Sequence, residues 1–417
     1  MTSHPAPPGR KLERARGPTL PLHGMPPAPS ASTRPYAAKG FRPFFLLAGL
    51  FATSIVPIWL LILAGAMGPA SYVDAITWHA HEMIFGYSVA VIAGFLLTAV
   101  GNWTGRETVI GAPLLGLGAL WLAGRVVMTM PAALPRVAVA AIDLAFLPAL
   151  ALAIAGPLLA ANNRRNFVMI GAIVVMWLAN LAIHLQALGV SGGLGQRGLA
   201  VAVDVVVLLM IVMAGRVVPM FTKNATGLTT VRGLPALDKA AIAAIVATTV
   251  LDAAMVSPRL SGVFAAIAAV LVVARTATWG TGHTLRVPLL WILHAGHAWI
   301  AVGLALRAAA AFSAAIPGPV ATHALTVGAI GALTLGMMSR VTLGHTGRAL
   351  AATLPVAASF VLVTIAAVVR VLGPLAGEAA YRPSIFAAGL LWTAAFLIFV
   401  VVHARVLTSS RADGKPG

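Results

Sequence analysis

Residues 198–221 read GLAVAVDVVVLLMIVMAGRVVPMF, an apolar run that carries two charges, Asp204 and Arg216. The hydrocarbon core of a bilayer is about 30 Å thick, and an α-helix needs about 20 apolar residues to cross it. Inside that core every backbone polar group must be bonded within the protein, and a helix achieves this within one segment. The stretch therefore predicts a transmembrane helix.

The same criterion of length and polarity divides the rest of the chain into further spanning segments. It predicts an all-α polytopic membrane protein of about twelve transmembrane helices within residues 41–408. Residues 1–40 are expected to be a disordered cytoplasmic tail and residues 409–417 a cytoplasmic C-terminal tail. The predicted segments are 42–66, 76–101, 109–130, 136–161, 167–189, 198–221, 236–256, 260–278, 286–312, 318–340, 351–373 and 381–407.

The composition excludes several classes of protein and of cofactor site. The chain is 60% hydrophobic and 9% charged, whereas a soluble domain carries about 25% charged residues. The net charge of +18 does not indicate nucleic-acid binding, because the basic residues are scattered through apolar sequence. The absence of cysteine excludes disulfides, thiolate metal sites, iron–sulfur clusters and thioether-linked haem.

The basic residues predict the orientation of the helices. Lys and Arg concentrate in the N-terminal tail and in every second loop, and cytoplasmic loops are the ones that carry an excess of these residues. We therefore expect both termini to lie in the cytoplasm. The residues of this pattern are Arg10, Lys11, Arg14, Arg16, Arg34, Lys39, Arg106, Arg164, Arg165, Lys223, Arg232, Lys239, Arg275, Arg286, Arg340, Arg348, Arg411 and Lys415.

An internal similarity relates the second and tenth segments. Six positions match at one offset, which is 323 − 81 = 242 residues. The sixth segment is a weaker relative, with Arg216 and Thr222 placed like Arg340 and Thr346. Segments 2, 6 and 10 are four apart, which suggests three four-helix units arranged as a three-fold repeat. The matched positions are His81, Gly86, Gly94, Thr104, Gly105 and Arg106 with His323, Gly328, Gly336, Thr346, Gly347 and Arg348.

Histidines inside the spans indicate a metal site, because ionisable groups are costly there and are usually functional. On a regular helix His79 and His81 point about 200° apart and would serve two neighbouring sites, whereas His79 and Met83 share a face. His294 and His297, three residues apart, also share a face and are spaced to bind one metal ion.

The repeat places His81 and His323 at equal depth on two helices. Two imidazoles facing each other across a gap are what a six-coordinate haem needs. Arg125 and Arg307 could contact haem propionates, or could instead pair with Asp143 and Asp204.

Simpler roles compete with metal binding at some of these positions. A single histidine near a helix end is usually an interfacial residue, and this is the expectation for His184. Glu82 is expected to contact an imidazole on the side away from the metal ion, with a proton carrier or an interfacial charge as the alternatives. A purely structural network of histidines is the alternative for the whole set.

Several motifs give the chain a resemblance to a known family. Together they cover nearly everything beyond the N-terminal tail, and the chain resembles the NnrS family of bacterial inner-membrane proteins. The motifs are Phe41-Arg42-Pro43-Phe44-Phe45, Trp78-His79-Ala80-His81-Glu82-Met83-Ile84-Phe85-Gly86, Gly94-Phe95-Leu96-Leu97-Thr98-Ala99, Trp103-Thr104-Gly105, Gly124-Arg125, Arg216-Val217-Val218-Pro219, His294-Ala295-Gly296-His297, His323-Ala324-Leu325-Thr326-Val327-Gly328 and Arg340-Val341-Thr342.

The resemblance implies haem, copper and a role in denitrification and the response to nitric oxide and nitrosative stress. We assign the haem iron to His81 and His323, with Arg125 and Arg307 as further cofactor contacts. The second metal is assigned to ligands among His79, Met83, His294 and His297. Nitric oxide is the expected ligand and the lipid bilayer the expected surrounding. Two alternatives are a transporter of a metal or metal complex and a redox enzyme that reduces nitric oxide.

Overall fold

Twelve long helices run between the two ends of a helical bundle in the part of the chain that the structure describes. The computed structural model describes residues 34–68, 72–130 and 134–415, and all secondary structure in these ranges is helical. The helices are α1 (Phe41–Leu63), α2 (Ala75–Thr104), α3 (Ala112–Thr129), α4 (Arg136–Ala160), α5 (Phe167–Ala187), α6 (Leu194–Thr226), α7 (Pro235–Ala253), α8 (Pro258–Thr276), α9 (Pro288–Phe312), α10 (Gly318–His345), α11 (Leu354–Leu372) and α12 (Glu378–Thr408).

The predicted all-α polytopic fold is confirmed. Eleven of these helices are long and apolar enough to cross a membrane. The remaining one, α7, is 19 residues long and carries Asp238, Lys239 and Asp252. It nevertheless packs between α6 and α8 as a full-length member of the bundle. Large apolar side chains on the outer faces, such as Leu152 and Val401, are more than 70% exposed, which suits a surface covered by lipid.

The motif that opens α1 fastens the first helix to the last. Phe41, Phe44 and Phe45 are fully buried, and Arg42 is only 1% exposed. The Arg42 guanidinium donates to the backbone carbonyl of Leu407 over 3.1 Å and to that of Ser409 over 2.7 Å. The last carbonyls of a helix have no partner within the helix, so a cation placed there stabilises its C-terminus.

Both α2 and α10 contain a stretch of π-helix at the same place. In α2 the α-helix runs to His81 and the π-helix covers Glu82–Ser88. In α10 the α-helix runs to His323 and the π-helix covers Ala324–Gly331. The two interruptions match at the offset of 242 residues found in the sequence. A π-helix fits an extra residue into the turn, and such segments occur often at functional sites.

The end of each repeat also matches. Gly105 after α2 and Gly347 after α10 both adopt a left-handed conformation, with φ of 64° and 71°. Glycine reaches this conformation without the steric cost of a Cβ atom, which is why it commonly follows a helix C-terminus. The similarity between the second and tenth segments is therefore present in the backbone as well as in the sequence.

Helices α2, α6 and α10 meet at the centre of the bundle. They line an apolar pocket of about 100 Å³, together with side chains of α1, α5 and α9. This arrangement is what a three-fold repeat requires, but α6 is α-helical throughout and has no π segment. The three-fold repeat stays a prediction. Lining residues from the three helices include Ile92, Phe95, Met210, Met213, Leu333 and Met337.

Candidate metal centre

The buried charged residues collect mainly at one end of the bundle. Because the chain alternates in direction, the starts of even-numbered helices and the ends of odd-numbered helices lie at the same end, which we name the site end. The distribution of Lys and Arg predicts that the site end faces the periplasm. Buried charged residues near it include Glu82 on α2, Arg125 on α3, Asp143 on α4 and Asp204 on α6.

The start of α2 is fixed by a capping residue. The Asp74 carboxylate accepts hydrogen bonds from the backbone N–H groups of Ile76 and Thr77 over 3.1 and 3.0 Å. Such a cap satisfies N–H groups that have no partner within the helix. His81 follows within two turns, and the π segment begins at the next residue. Although adjacent in sequence, His81 and Glu82 are both fully buried.

The His81 imidazole is held by contacts on both ring nitrogens. Nδ1 lies 2.9 Å from Glu82 Oε1. Nε2 lies 2.9 Å from Asn180 Oδ1 and 3.3 Å from Asp143 Oδ2. A carboxylate on the far nitrogen of a histidine is the usual means of orienting a metal ligand, which is the role expected for Glu82.

The His184 imidazole approaches the same carboxylate from α5. Its Nε2 lies 2.9 Å from Asp143 Oδ2, and its Nδ1 lies 2.8 Å from the Tyr72 hydroxyl. Asn180, one helical turn earlier on α5, donates to Asp143 Oδ2 over 2.8 Å. His184 is fully buried, so the expectation that it is an interfacial residue is wrong.

His81, Asp143 and His184, which we name the triad, could hold a metal ion. One ligand atom from each residue lies within 4.8 Å of the other two. Metal–nitrogen and metal–oxygen bonds of about 2.0–2.1 Å in a tetrahedral site place ligand atoms about 3.3 Å apart. The separations of 3.3 and 2.9 Å from Asp143 Oδ2 to the two Nε2 atoms are close to that value.

Arg125 ties together the two carboxylates around the triad. Its Nη1 donates to Glu82 Oε1 over 2.7 Å, and its Nη2 is bonded to Asp143 Oδ1. Two carboxylates against one guanidinium leave one negative charge, which a proton on an imidazole or a metal cation would balance. These contacts provide the charge pairing that was the alternative to a haem propionate contact for Arg125.

A break in α4 accompanies the buried Asp143. Ala145 interrupts the helix two residues later, between Arg136–Leu144 and Phe146–Ala160. The Trp177 indole N–H donates to the carbonyl of Leu144 over 3.1 Å. Irregular backbone at membrane depth needs such a partner inside the protein.

Arg307 forms a second charged cluster at the site end. It donates to both carboxylate oxygens of Asp204, over 2.7 and 3.2 Å, and is also bonded to Asp252. Its guanidinium is thus occupied by side chains of α6 and α7. As with Arg125, these contacts correspond to helix-to-helix charge pairing.

His79 faces away from the triad, as predicted for residues two apart on a helix. Its ring stacks on Trp59 of α1 with centroids 4.4 Å apart and an angle of 13° between the planes. Its Nδ1 is buried and has no hydrogen-bond partner among the described residues. Met83, predicted to share its face, lies beyond the start of the π segment, where it packs against the apolar core.

His323 lies with His79 rather than with His81. Its Nδ1 lies 2.6 Å from the carbonyl of Pro319. Arg370 of α11 lies within electrostatic range of both His79 and His323, and these two histidines lie within range of each other. None of the contacts described above for His81 involves His323. The structure therefore brings the repeat-related pair to the same end of the bundle but in different clusters.

His294 and His297 occupy the opposite part of the bundle. Both ring nitrogens of His294 contact threonine hydroxyls, Thr222 at 3.0 Å and Thr281 at 2.9 Å. His297 is fully buried against Trp279, and neither of its nitrogens has a partner among the described residues. The predicted pair shares a helix face, but only His297 has free nitrogens.

The sequence contains one further signal, which concerns His184 of the triad. Asn180 and His184 are four residues apart on one face of α5, and both are polar in an apolar segment. A pair of this kind indicates a face turned toward a polar partner inside the bundle. The contact of Tyr72 with His184 had no such signal, because Tyr72 lies outside the helices.

We expect Asp74→Ala to lower the free energy of unfolding by about 0.5–2 kcal/mol, the usual cost of losing a helix cap. Burial alone would raise the pKa of the Asp74 carboxyl, but hydrogen bonds from Thr77 and Ile76 lower it overall. The stabilisation is therefore present above about pH 4 and is lost as the pH falls and the carboxylate protonates. Thermal unfolding in detergent across this range measures it.

Asp74→Ser is the matched control for this variant. A serine keeps a capping oxygen without the titrating charge, so it should retain most of the stability and show no pH dependence from this position. Equal destabilisation by alanine and serine would contradict the capping role.

The chain matches a known protein family over nearly its whole length. The family model described as NnrS protein matches residues 35–411 of the 417-residue chain. No curated protein matches the chain significantly. The match includes all twelve helices and every residue of the triad, and it confirms the resemblance drawn from the motifs. Because it covers nearly the whole chain, the protein belongs to the NnrS family.

Proposed function

We propose that this protein is an inner-membrane haem- and copper-binding protein of the nitric oxide response, and that the triad holds the copper. The observation that carries the copper site is the convergence of His81 Nε2, His184 Nε2 and Asp143 Oδ2 in a fully buried position. Haem, copper and nitric oxide come from the family resemblance. The orientation with both termini in the cytoplasm, which places the triad near the periplasm, comes from the basic loops.

The donor set suits copper for chemical reasons. Imidazole nitrogens with carboxylate oxygen favour Cu(II) or Zn(II) over the oxygen-only sites of Ca²⁺ and Mg²⁺. The far nitrogen of each imidazole has its own partner, Glu82 for His81 and Tyr72 for His184. These partners would hold the rings in position whether or not a metal ion is bound, which lowers the cost of binding.

The site is also compatible with a small uncharged ligand such as nitric oxide. Nitric oxide dissolves in apolar surroundings and needs no charged path to reach a buried metal. The apolar pocket between α2, α6 and α10 provides such surroundings within the bundle. Binding of nitric oxide at a metal, or protection of other metalloproteins from it, would follow from this chemistry.

A binding protein fits the helices better than a transporter does. Transporters commonly carry unwound helices at the membrane midplane. The π segments of α2 and α10 keep those helices continuous, and the break in α4 is a single residue, Ala145. A nitric oxide reductase would require an electron donor. Measuring consumption of nitric oxide with a donor supplied tests this alternative separately.

Metal analysis of the purified protein tests the copper site. The wild-type protein is expected to contain copper and to show a Cu(II) electron paramagnetic resonance signal split by imidazole nitrogens. His184→Ala should lower copper affinity by roughly tenfold or more, since even loss of an outer-shell partner costs 10–100-fold. Addition of nitric oxide should change the optical spectrum of the metal-loaded protein.

His403→Ala is the matched control for removing a buried histidine. His403 is buried on α12, where its Nδ1 contacts the carbonyl of Phe399 and its ring stacks on Phe399. It should keep the copper content and signal of the wild type. Full copper content with an unchanged signal in His184→Ala would reject the triad as the copper site. Absence of both copper and haem from protein made with both available would reject the proposed function.

A further inference from the structure

Arg370 is a buried cation for which the described residues provide no counter-ion. It lies in the last turn of α11 and is 8% exposed. Its Nη1 is buried without a hydrogen-bond partner, and none of the ion pairs among the described residues includes it. Arg125 and Arg307, by contrast, each hold two carboxylates. An isolated buried charge is costly unless it is paired, so this position calls for an anion.

The end of its own helix compensates Arg370 only in part. A cation near a helix C-terminus gains typically 0.3–1 kcal/mol from the helix dipole. The effective penalty for burying an ion in a protein is several kcal/mol. The helix dipole is therefore too small to explain why this side chain is buried rather than extended into water.

Two imidazoles flank this unpaired cation. Arg370 lies within electrostatic range of His79 from α2 and His323 from α10. His79 is fixed by its stack on Trp59, and its Nδ1 is buried without a partner. We name this cluster of Trp59, His79, His323 and Arg370 the Arg370 pocket.

The hydrogen bond of His323 determines which of its nitrogens could bind a metal. The carbonyl of Pro319 can only accept, so His323 Nδ1 must carry the hydrogen. In the neutral ring the lone pair then lies on Nε2. A backbone carbonyl on the far nitrogen is a common way of orienting an imidazole ligand. His81 differs, because Glu82 contacts its Nδ1 and its Nε2 already faces Asp143 within the triad.

We propose that the Arg370 pocket is the haem site, with His79 and His323 as the two axial ligands and Arg370 paired with a propionate. The inference rests on the proposed function, which supplies the haem. It replaces His81 by His79 as the partner of His323. An inorganic anion would satisfy Arg370 and leave both imidazoles unused, whereas haem offers iron and carboxylates in one molecule. The buried His79 Nδ1 and Arg370 Nη1 atoms have no hydrogen-bond partner among the described residues, which supports binding of haem here.

The first test replaces the axial ligands in full-length protein produced with haem available. Wild-type protein should show the optical and low-spin paramagnetic resonance spectra of bis-imidazole haem. His79→Ala and His323→Ala should each lose that low-spin signal and recover it when imidazole is added. His81→Ala should keep it. Loss of the signal in His81→Ala with retention in His79→Ala would overturn the assignment.

The second test isolates the charge of Arg370. Arg370→Gln should keep the bis-imidazole spectrum, bind haem roughly tenfold more weakly and lower the haem midpoint potential, because removing a nearby cation favours the ferric state. Arg405→Gln, at an exposed arginine in the last turn of α12, is the control and should change neither quantity. If the haem affinity and the haem midpoint potential are unchanged in Arg370→Gln, the proposed contact with a propionate is wrong. Arg370 would then bind an inorganic anion only.

Copper content separates failure of this inference from failure of the proposed function. His79→Ala should lose the low-spin haem signal and keep copper, whereas His184→Ala should lose copper and keep the haem signal. If the wild-type protein binds haem and all three pocket variants retain it unchanged, the pocket assignment fails alone. If the wild-type protein binds no haem, the haem part of the proposed function fails with it.

Discussion

Asp143→Ala is expected to destabilise the protein by about 3–5 kcal/mol, which is the usual cost of removing one partner from a buried ion pair. Asp143 is buried and contacts Arg125, His81, Asn180 and His184. Its loss leaves a guanidinium and two imidazoles with unmet contacts in a region without water to replace them. We also expect loss of copper from the triad.

Thermal unfolding and copper analysis of the purified variant measure these two effects. Glu378→Gln is the control for neutralising an acidic residue, because Glu378 lies exposed at the start of α12 and should change stability by less than about 0.5 kcal/mol. Adding Arg125→Met to Asp143→Ala should cost less than the two single substitutions added together, because both remove the same contact between Arg125 and Asp143. A loss below about 1 kcal/mol for Asp143→Ala would show that the network contributes little.

Gly198→Ala is expected to destabilise the protein by about 1–3 kcal/mol, the usual cost of overpacking. A Cβ atom on Gly198 of α6 would lie 2.4 Å from the carbonyl oxygen of Ala179 and 3.2 Å from the Cβ of Ala182, both on α5. A backbone oxygen cannot turn aside as a flexible side chain can. Helix α5 would have to shift, and it carries His184 of the triad and Asn180, which bonds Asp143.

The control for this substitution lies on α5 itself. No atom would lie within 4 Å of a Cβ atom on Gly171, so Gly171→Ala should be neutral or stabilise the helix by about 0.5–1 kcal/mol. The unfolding temperature should therefore fall only in Gly198→Ala. Copper binding should be weakened only in Gly198→Ala. Full copper affinity in that variant would contradict the link between the packing of α5 on α6 and the triad.

The sequence predicted the helices well because crossing a bilayer is a local requirement. Each span needs about 20 apolar residues, whatever its neighbours are, and the run at 198–221 is sufficient by itself. The observed α6 extends beyond that run to Leu194–Thr226, because polar residues can continue a helix outside the hydrocarbon. The repeat of α2 in α10 was visible for a similar reason, since it needs only a fixed offset along the chain.

The candidate site was predicted less well because it depends on how helices rotate against one another. His81, Arg125, Asp143 and His184 come from four helices, and no spacing along the chain shows that they meet. The π segment after His81 also changes the helical phase, so a face deduced from regular 3.6-residue turns no longer holds at Glu82. Prediction therefore identified the histidines more reliably than their partners.

The matching π segments of α2 and α10 also bear on the history of the chain. An interruption at the same place in both copies is most simply inherited from a single ancestral helix, in which a histidine already preceded the π-helix. The copies then diverged at the next position, where α2 has Glu82 and α10 has Ala324. In the present chain His81 contacts a carboxylate, whereas His323 contacts a backbone carbonyl. A single ancestral ligand position could in this way have given rise to two different metal environments in one protein.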